Sequence, residues 1–88
     1  MAKCFSLRVI TAEGTVLEGQ AEYARFETAE GSVGVLAGHA PMLCALPEGI
    51  ARFRMEDGTE KRAELSSGIA NVRDNTVTVL ADRATLTD

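Results

Sequence analysis

The sequence predicts an all-β fold, an antiparallel sandwich or barrel of short strands. Three observations carry the prediction. Apolar and polar residues alternate with a period of two in several short stretches, the pattern of half-buried strands. Turn signals rich in Gly, Pro, Asp and Asn recur about every 8–12 residues, as in sandwiches and barrels. No stretch sustains apolar spacing at i, i+3 and i+4, so no helix is expected.

Taken in order, Phe5, Leu7 and Val9 alternate with Ser6 and Arg8, which reads as a first strand. Thr11-Ala12-Glu13-Gly14 is a turn, with Gly14 suited to a left-handed closing position. Thr15 to Leu17 begins the return, and Gly19 interrupts it, which reads as a bend or bulge. Alternation resumes from Ala21 to Thr28, with Tyr23 expected at the sheet margin.

The stretch from Glu30 to Leu46 holds three of the eight glycines, one of the two prolines and the only histidine. Val33 to Leu36 reads as a short apolar strand, Ala37 to Pro41 as a stiff corner, and Met42 to Leu46 as a second apolar strand expected in the core. Pro41 fixes its own φ and pushes Ala40 towards an extended conformation. His39 either braces this corner by bonding nearby backbone or faces a partner, because rigid loops on β scaffolds commonly carry binding.

Pro47-Glu48-Gly49 is a tight turn. Parity then selects the loop types of the last two hairpins. A two-residue Asp57-Gly58 loop would set Phe53 opposite Arg62 and mix the faces. A three-residue loop, Glu56 to Gly58 with Gly58 left-handed, sets Ala51 against Ala63. The last hairpin requires a two-residue loop instead: Asp74-Asn75 pairs Val72 with Val77 and Ala70 with Val79. Ser66-Ser67-Gly68 is the corner before it, and no low-complexity segment or repeat is read.

Residues 1–88 form one domain, long enough to bury ~60–65% of the unfolded surface. With no Trp, one Tyr and three Phe, its core must be largely aliphatic. The net charge of −4 argues against nucleic acid or an anionic membrane surface as partner. The N-terminus lacks the apolar region of a signal peptide, and no run approaches the ~20 apolar residues of a membrane-spanning helix. A cytosolic chain, or one docked on something that is not cytosolic, is expected.

No catalytic, cofactor-binding or metal-ligating set emerges. Gly31, Gly34 and Gly38 lack the Lys-Ser/Thr and the helix of a phosphate loop. One His and two Cys cannot supply a tetrahedral metal site. Carboxylate pairs such as Glu27/Glu30 and Glu56/Asp57 read as solvated turn residues. Cys4 and Cys44 read as small apolar residues in a reduced compartment. A Cys44–His39 thiol enzyme is the sharp alternative, but no orienting acid or enclosed pocket supports it. A non-catalytic β-sandwich adaptor is the other alternative.

Glu30-Gly31-x-x-Gly34-Val35-Leu36-x-Gly38-His39-Ala40-Pro41-x-Leu43 resembles the signature of the epsilon subunit of F-type ATP synthases. Thr11 to Gly14, the Ser66-Ser67-Gly68 corner (with Ser67 departing from the family pattern) and Asn75-Thr76-Val77-Thr78-Val79-Leu80-Ala81-Asp82 match the same family in order, over roughly residues 4–84. The resemblance implies an antiparallel β-sandwich of two roughly five-stranded sheets, the N-terminal domain of a non-catalytic central-stalk subunit. Such a subunit links gamma to the c-ring and supports coupling of proton or sodium flow to ATP synthesis. It implies no cofactor and no small-molecule substrate.

Carried over by position, Glu30, Gly31, Ser32, Val33, Gly38, His39, Ala40 and Pro41 would face the c-ring, and Met42 and Cys44 would lie towards gamma. Ser32 stands where many relatives have an acidic residue. With Asp88 as its last residue, the chain is expected to be either a short form without the C-terminal helical hairpin or a fragment of a longer subunit. The implied location is peripheral, on the cytoplasmic face of a bacterial inner membrane or the equivalent organellar side.

Overall fold

Alternation becomes strand wherever it was read, and the computed structural model describes residues 3–28 and 30–87. The strands are β1 (Phe5–Thr11), β2 (Gly14–Thr28), β3 (Gly31–Leu36), β4 (Met42–Leu46), β5 (Gly49–Met55), β6 (Glu60–Leu65), β7 (Gly68–Arg73), β8 (Thr76–Ala81) and β9 (Ala84–Thr87). No helix occurs among the described residues, so none there is long and apolar enough to cross a membrane.

The order of hydrogen-bonded neighbours is β4-β7-β8-β1-β2-β5-β6-β9, with β3 also on β2. The long β2 belongs to both layers of the sandwich. Its first half continues β4-β7-β8-β1, and its second half joins β3, β5, β6 and β9. Residues of both layers meet in one core cluster, built on Phe5, Phe26 and Phe53 with Leu7, Val9, Val35, Val72, Val77 and Val79 around them. The Phe26 and Phe53 rings meet edge to face at 5.9 Å.

Both hairpins settled by parity have the expected loops. Ala51 lies opposite Ala63, the Met55 amide donates to the Thr59 carbonyl, and Gly58 has φ +88°. Val72 lies opposite Val77 and Ala70 opposite Val79, with Asp74 and Asn75 at φ 52° and 56°. Successive positive φ values are what a two-residue turn with the right-handed strand twist demands.

Other expectations need correction. The sandwich is not wholly antiparallel, because β1 pairs with β8 in parallel. The long connection between them allows that arrangement. The bulges in β2 lie at Val16, where the register shifts against β1, and at Glu22, where it shifts against β5. Gly19 instead pairs regularly with Leu7; a Cβ there would come within 3.2 Å of Met55 Cε. The Glu22 bulge also breaks the alternation from Ala21 to Thr28, turning Ala24 and Phe26 inward rather than Tyr23 and Arg25.

The strand Met42–Leu46 is core only at Leu46, which is 4% exposed, because β4 is an edge strand paired to β7 alone. Strand β9 was not expected; its pairing with β6 covers that strand's outer edge. A short repeat also exists: Thr-Ala-Glu-Gly stands at 11–14 and again at 28–31. Each copy opens a hairpin, and its Thr hydroxyl donates to the Gly carbonyl while accepting the Glu amide.

Candidate functional site: a braced corner and an apolar edge

The chain leaves β3 through Ala37 and Gly38, turning where the His39 amide donates to the Leu36 carbonyl. Gly38 holds φ +78°, a left-handed conformation in which a side chain would be strained. Gly34, one strand turn earlier, serves a close approach instead, since a Cβ there would meet the Tyr23 hydroxyl at 3.0 Å. His39 is half-buried, and its Nδ1 donates to the Ala40 carbonyl at 2.7 Å. A carbonyl can only accept, so Nδ1 carries the proton. This is the local backbone bond expected of a bracing histidine.

The stronger brace comes from Asn75, which the sequence marked only as a turn residue. Asn75, in the β7–β8 turn, accepts the Gly38 amide on Oδ1 at 2.8 Å. Its Nδ2 donates to the Cys4 carbonyl at 2.9 Å, and its own carbonyl accepts the Ser6 amide. One side chain therefore joins the corner, the start of β1 and the last hairpin. Asn75→Ala is expected to cost about 2 kcal/mol, because two polar backbone groups lose their partner and a non-Gly, non-Asn residue must hold a left-handed φ. Hydrogen exchange at the Gly38 amide should accelerate more than exchange in β5 and β6. Uniform acceleration across the molecule would show that the brace is not local.

The structure divides the predicted c-ring residues into two groups. Glu30 to Val33 belong to the β2–β3 hairpin tip, and Gly38 to Pro41 to the corner at the other end of β3. At the rise of a strand, the two groups stand about 20 Å apart. At the tip, Ser32 Oγ donates to Glu27 Oε2 and accepts from Arg25 Nη2, both at 3.2 Å. Ser32 therefore bridges a neighbouring base and acid. Val33 is half-buried against the core.

Met42 and Cys44 lie on the core-facing side of β4, half-buried at the open edge. Their neighbours Leu43 and Ala45 face outward, and Leu43 is 69% exposed. Leu36, just before the corner, is 61% exposed. Register carries the apolar surface across four strands, from Ala45 to Ile69, Leu80 and Ile10. Exposed apolar patches of this kind mark interaction sites. Parity could have revealed this one: if Met42, Cys44 and Leu46 face inward, Leu43 faces out.

The geometry gives no support to thiol chemistry. Burial pushes the Cys44 thiol up, and the Glu30 carboxylate adds to it against a hydrogen bond with the Ala70 backbone. A catalytic cysteine needs the opposite shift. Cys4 is likewise raised, by desolvation and then by Glu56 and Glu22. Among the described residues no polar or charged residue is buried, and no group of three His, Cys, Asp or Glu could hold a metal ion.

Residues 4–87 match the model of the ATP synthase delta/epsilon chain β-sandwich domain. The chain is 40% identical over 84 residues to proteins named ATP synthase epsilon chain from Desulfitobacterium hafniense strains DCB-2 and Y51, an alignment covering 96% of this chain. It spans 63% of the length of those curated relatives. Among solved structures it is similar to a chain of the Euglena gracilis mitochondrial ATP synthase OSCP/F1/c-ring assembly, with TM-score 0.88 and 27% identity over 98% of this chain and 54% of that one. A chain from the Tetrahymena thermophila mitochondrial ATP synthase central stalk and c-ring shares the fold, with TM-score 0.79 and 17% identity over 91% of this chain and 64% of that one.

Proposed function

We propose, from the premise that this chain belongs to the ATP synthase delta/epsilon chain β-sandwich family, that it is a non-catalytic rotor component. In this role it links the gamma subunit to the c-ring and supports coupling of ion flow to ATP synthesis. The observation that carries the reading is the braced corner flanked by two exposed leucines, Leu36 and Leu43. A domain whose own core is complete does not need large apolar side chains in water on both sides of its most rigid turn.

Each of the two surfaces suits a different partner. The hairpin tip, Glu30 to Val33, is polar and would meet the polar loops of the c-ring through groups such as the Ser32–Glu27 hydrogen bond. The corner, Gly38 to Pro41, is continuous with β4 and the apolar row from Ala45 to Ile10, which suits gamma. Met42 and Cys44 would stiffen that edge from beneath, while Leu43 makes the contact. In this reading the corner contacts gamma and the tip is left to the ring. The complex would hold the domain at the membrane surface, on the cytoplasmic face in a bacterium.

Binding to gamma and c-ring subunits from the same source tests the reading. Leu43→Asp should weaken gamma binding about tenfold or more, the loss of roughly 1.4 kcal/mol or more from a buried apolar contact. The substitution should leave the melting temperature within a few degrees, because position 43 is exposed. A folded chain that binds neither subunit would overturn the stalk assignment.

A further inference from the structure

The opposite outer face, formed by the second half of β2 with β5 and β6, carries an unusual charge arrangement. Arg25 lies directly opposite Arg52, and Arg52 directly opposite Arg62. All three are exposed, and they alternate along their strands with the core residues Ala24, Phe26, Ala51, Phe53, Ala63 and Leu65. Arg25 donates to Ser32 Oγ. The Arg52 and Arg62 side chains make no ion pair or hydrogen bond among the described residues. In the next row Arg54 has the partner that stability favours, Glu60 directly opposite and 3.6 Å away. Glu27, bound to Ser32, and Glu64, two residues along from Arg62, flank the row on the same face.

Like charges directly opposite one another destabilise a sheet. Two such oppositions run side by side here, in a chain with 13 acidic residues and only nine Lys and Arg. We propose that the Arg25–Arg52–Arg62 row is a docking surface for an acidic α-helix of a partner protein, laid across the strands. Spacing selects a helix. Neighbouring strands lie about 4.8 Å apart, so the three arginines recur at about 5 Å steps. Carboxylates at i, i+3 or i+4, and i+7 of a helix recur at about the same step. In an extended peptide, residues on one face recur at about 6.8 Å and fall out of register. The Tyr23 hydroxyl, against Gly34 at the end of the row, adds a donor. An anionic bilayer would have to approach Glu27, Glu60 and Glu64 as well, whereas a single helix fits between them. The row stays available when the Leu43 face is covered.

The test titrates the 88-residue chain with a synthetic helical peptide of about 20 residues, long enough to hold its fold, whose glutamates all lie on one face. Controls are the same composition with glutamates spread around the helix, and phosphatidylglycerol vesicles. The one-faced peptide should bind about tenfold more tightly than the scrambled one, shift amides in β5 and β6, and weaken as salt rises from about 50 to about 200 mM. Arg52→Gln and Arg62→Gln should each weaken binding about fivefold. Arg52→Gln should leave the melting temperature unchanged or raise it, which a structural arginine would not do. Equal binding of the two peptides, preferential binding of vesicles, or unaltered affinity in both variants would overturn the proposal.

Discussion

Gly68→Ala is expected to destabilise the protein by about 3 kcal/mol or more, a large part of the roughly 4–13 kcal/mol available to 88 residues. Gly68 begins β7 and lies between Leu46 of β4 and Ala81 of β8. A Cβ at this position would overlap the Leu80 carbonyl oxygen and stand 3.0 Å from Ala81 Cα. Both obstacles are backbone, so no rotamer change relieves them; β7 and β8 must separate, and the ladder opens at its start. Gly38→Ala is the contrast, since its Cβ would meet nothing within 4 Å and only its φ of +78° is unfavourable. That change should cost about 1 kcal/mol. Urea denaturation at constant slope measures both. Equal midpoints for the two variants would show that β7 and β8 absorb the extra methyl.

Phe53→Ala is the second large effect, expected at about 4 kcal/mol. Phe53 is 1% exposed and packs edge to face on Phe26 at an interplanar angle of 71°. Removing it takes away the lost transfer energy, the edge-to-face contact and the filling of a core with only three aromatic rings. Because the rings touch, Phe26→Ala combined with Phe53→Ala should cost less than the sum of the single changes. Denaturation of the four variants gives the coupling directly. Strict additivity would mean that each ring is held by its aliphatic neighbours rather than by the other.

The corner and the hairpins were legible for different reasons. Loops 56–58 and 74–75 could be read because two alternating strands face the same core in only one parity, and parity determines loop length. Glu30 to Leu43 could be read as a motif because Gly, His and Pro leave the backbone few conformations. The bulges at Val16 and Glu22 could not be read, since a bulge is visible only against the strand it slips along. Gly19 was misread for a related reason: the atom that requires it belongs to Met55, on another strand.

By itself, the sequence determined the all-β class, the inward residues of most strands and the presence of a constrained corner. These follow from local sterics and the two-residue period of a strand. Only the tertiary structure decided what holds the corner and what it presents. Asn75 reaches Gly38 across 37 residues and Cys4 across 71, and no local pattern encodes such a contact. Tertiary structure also decided that β4 lies at an edge, leaving Leu43 in water, and that β2, β5 and β6 stack three arginines in one row. Exposure and charge opposition are properties of neighbours, and in a β fold the neighbours are set by strand order.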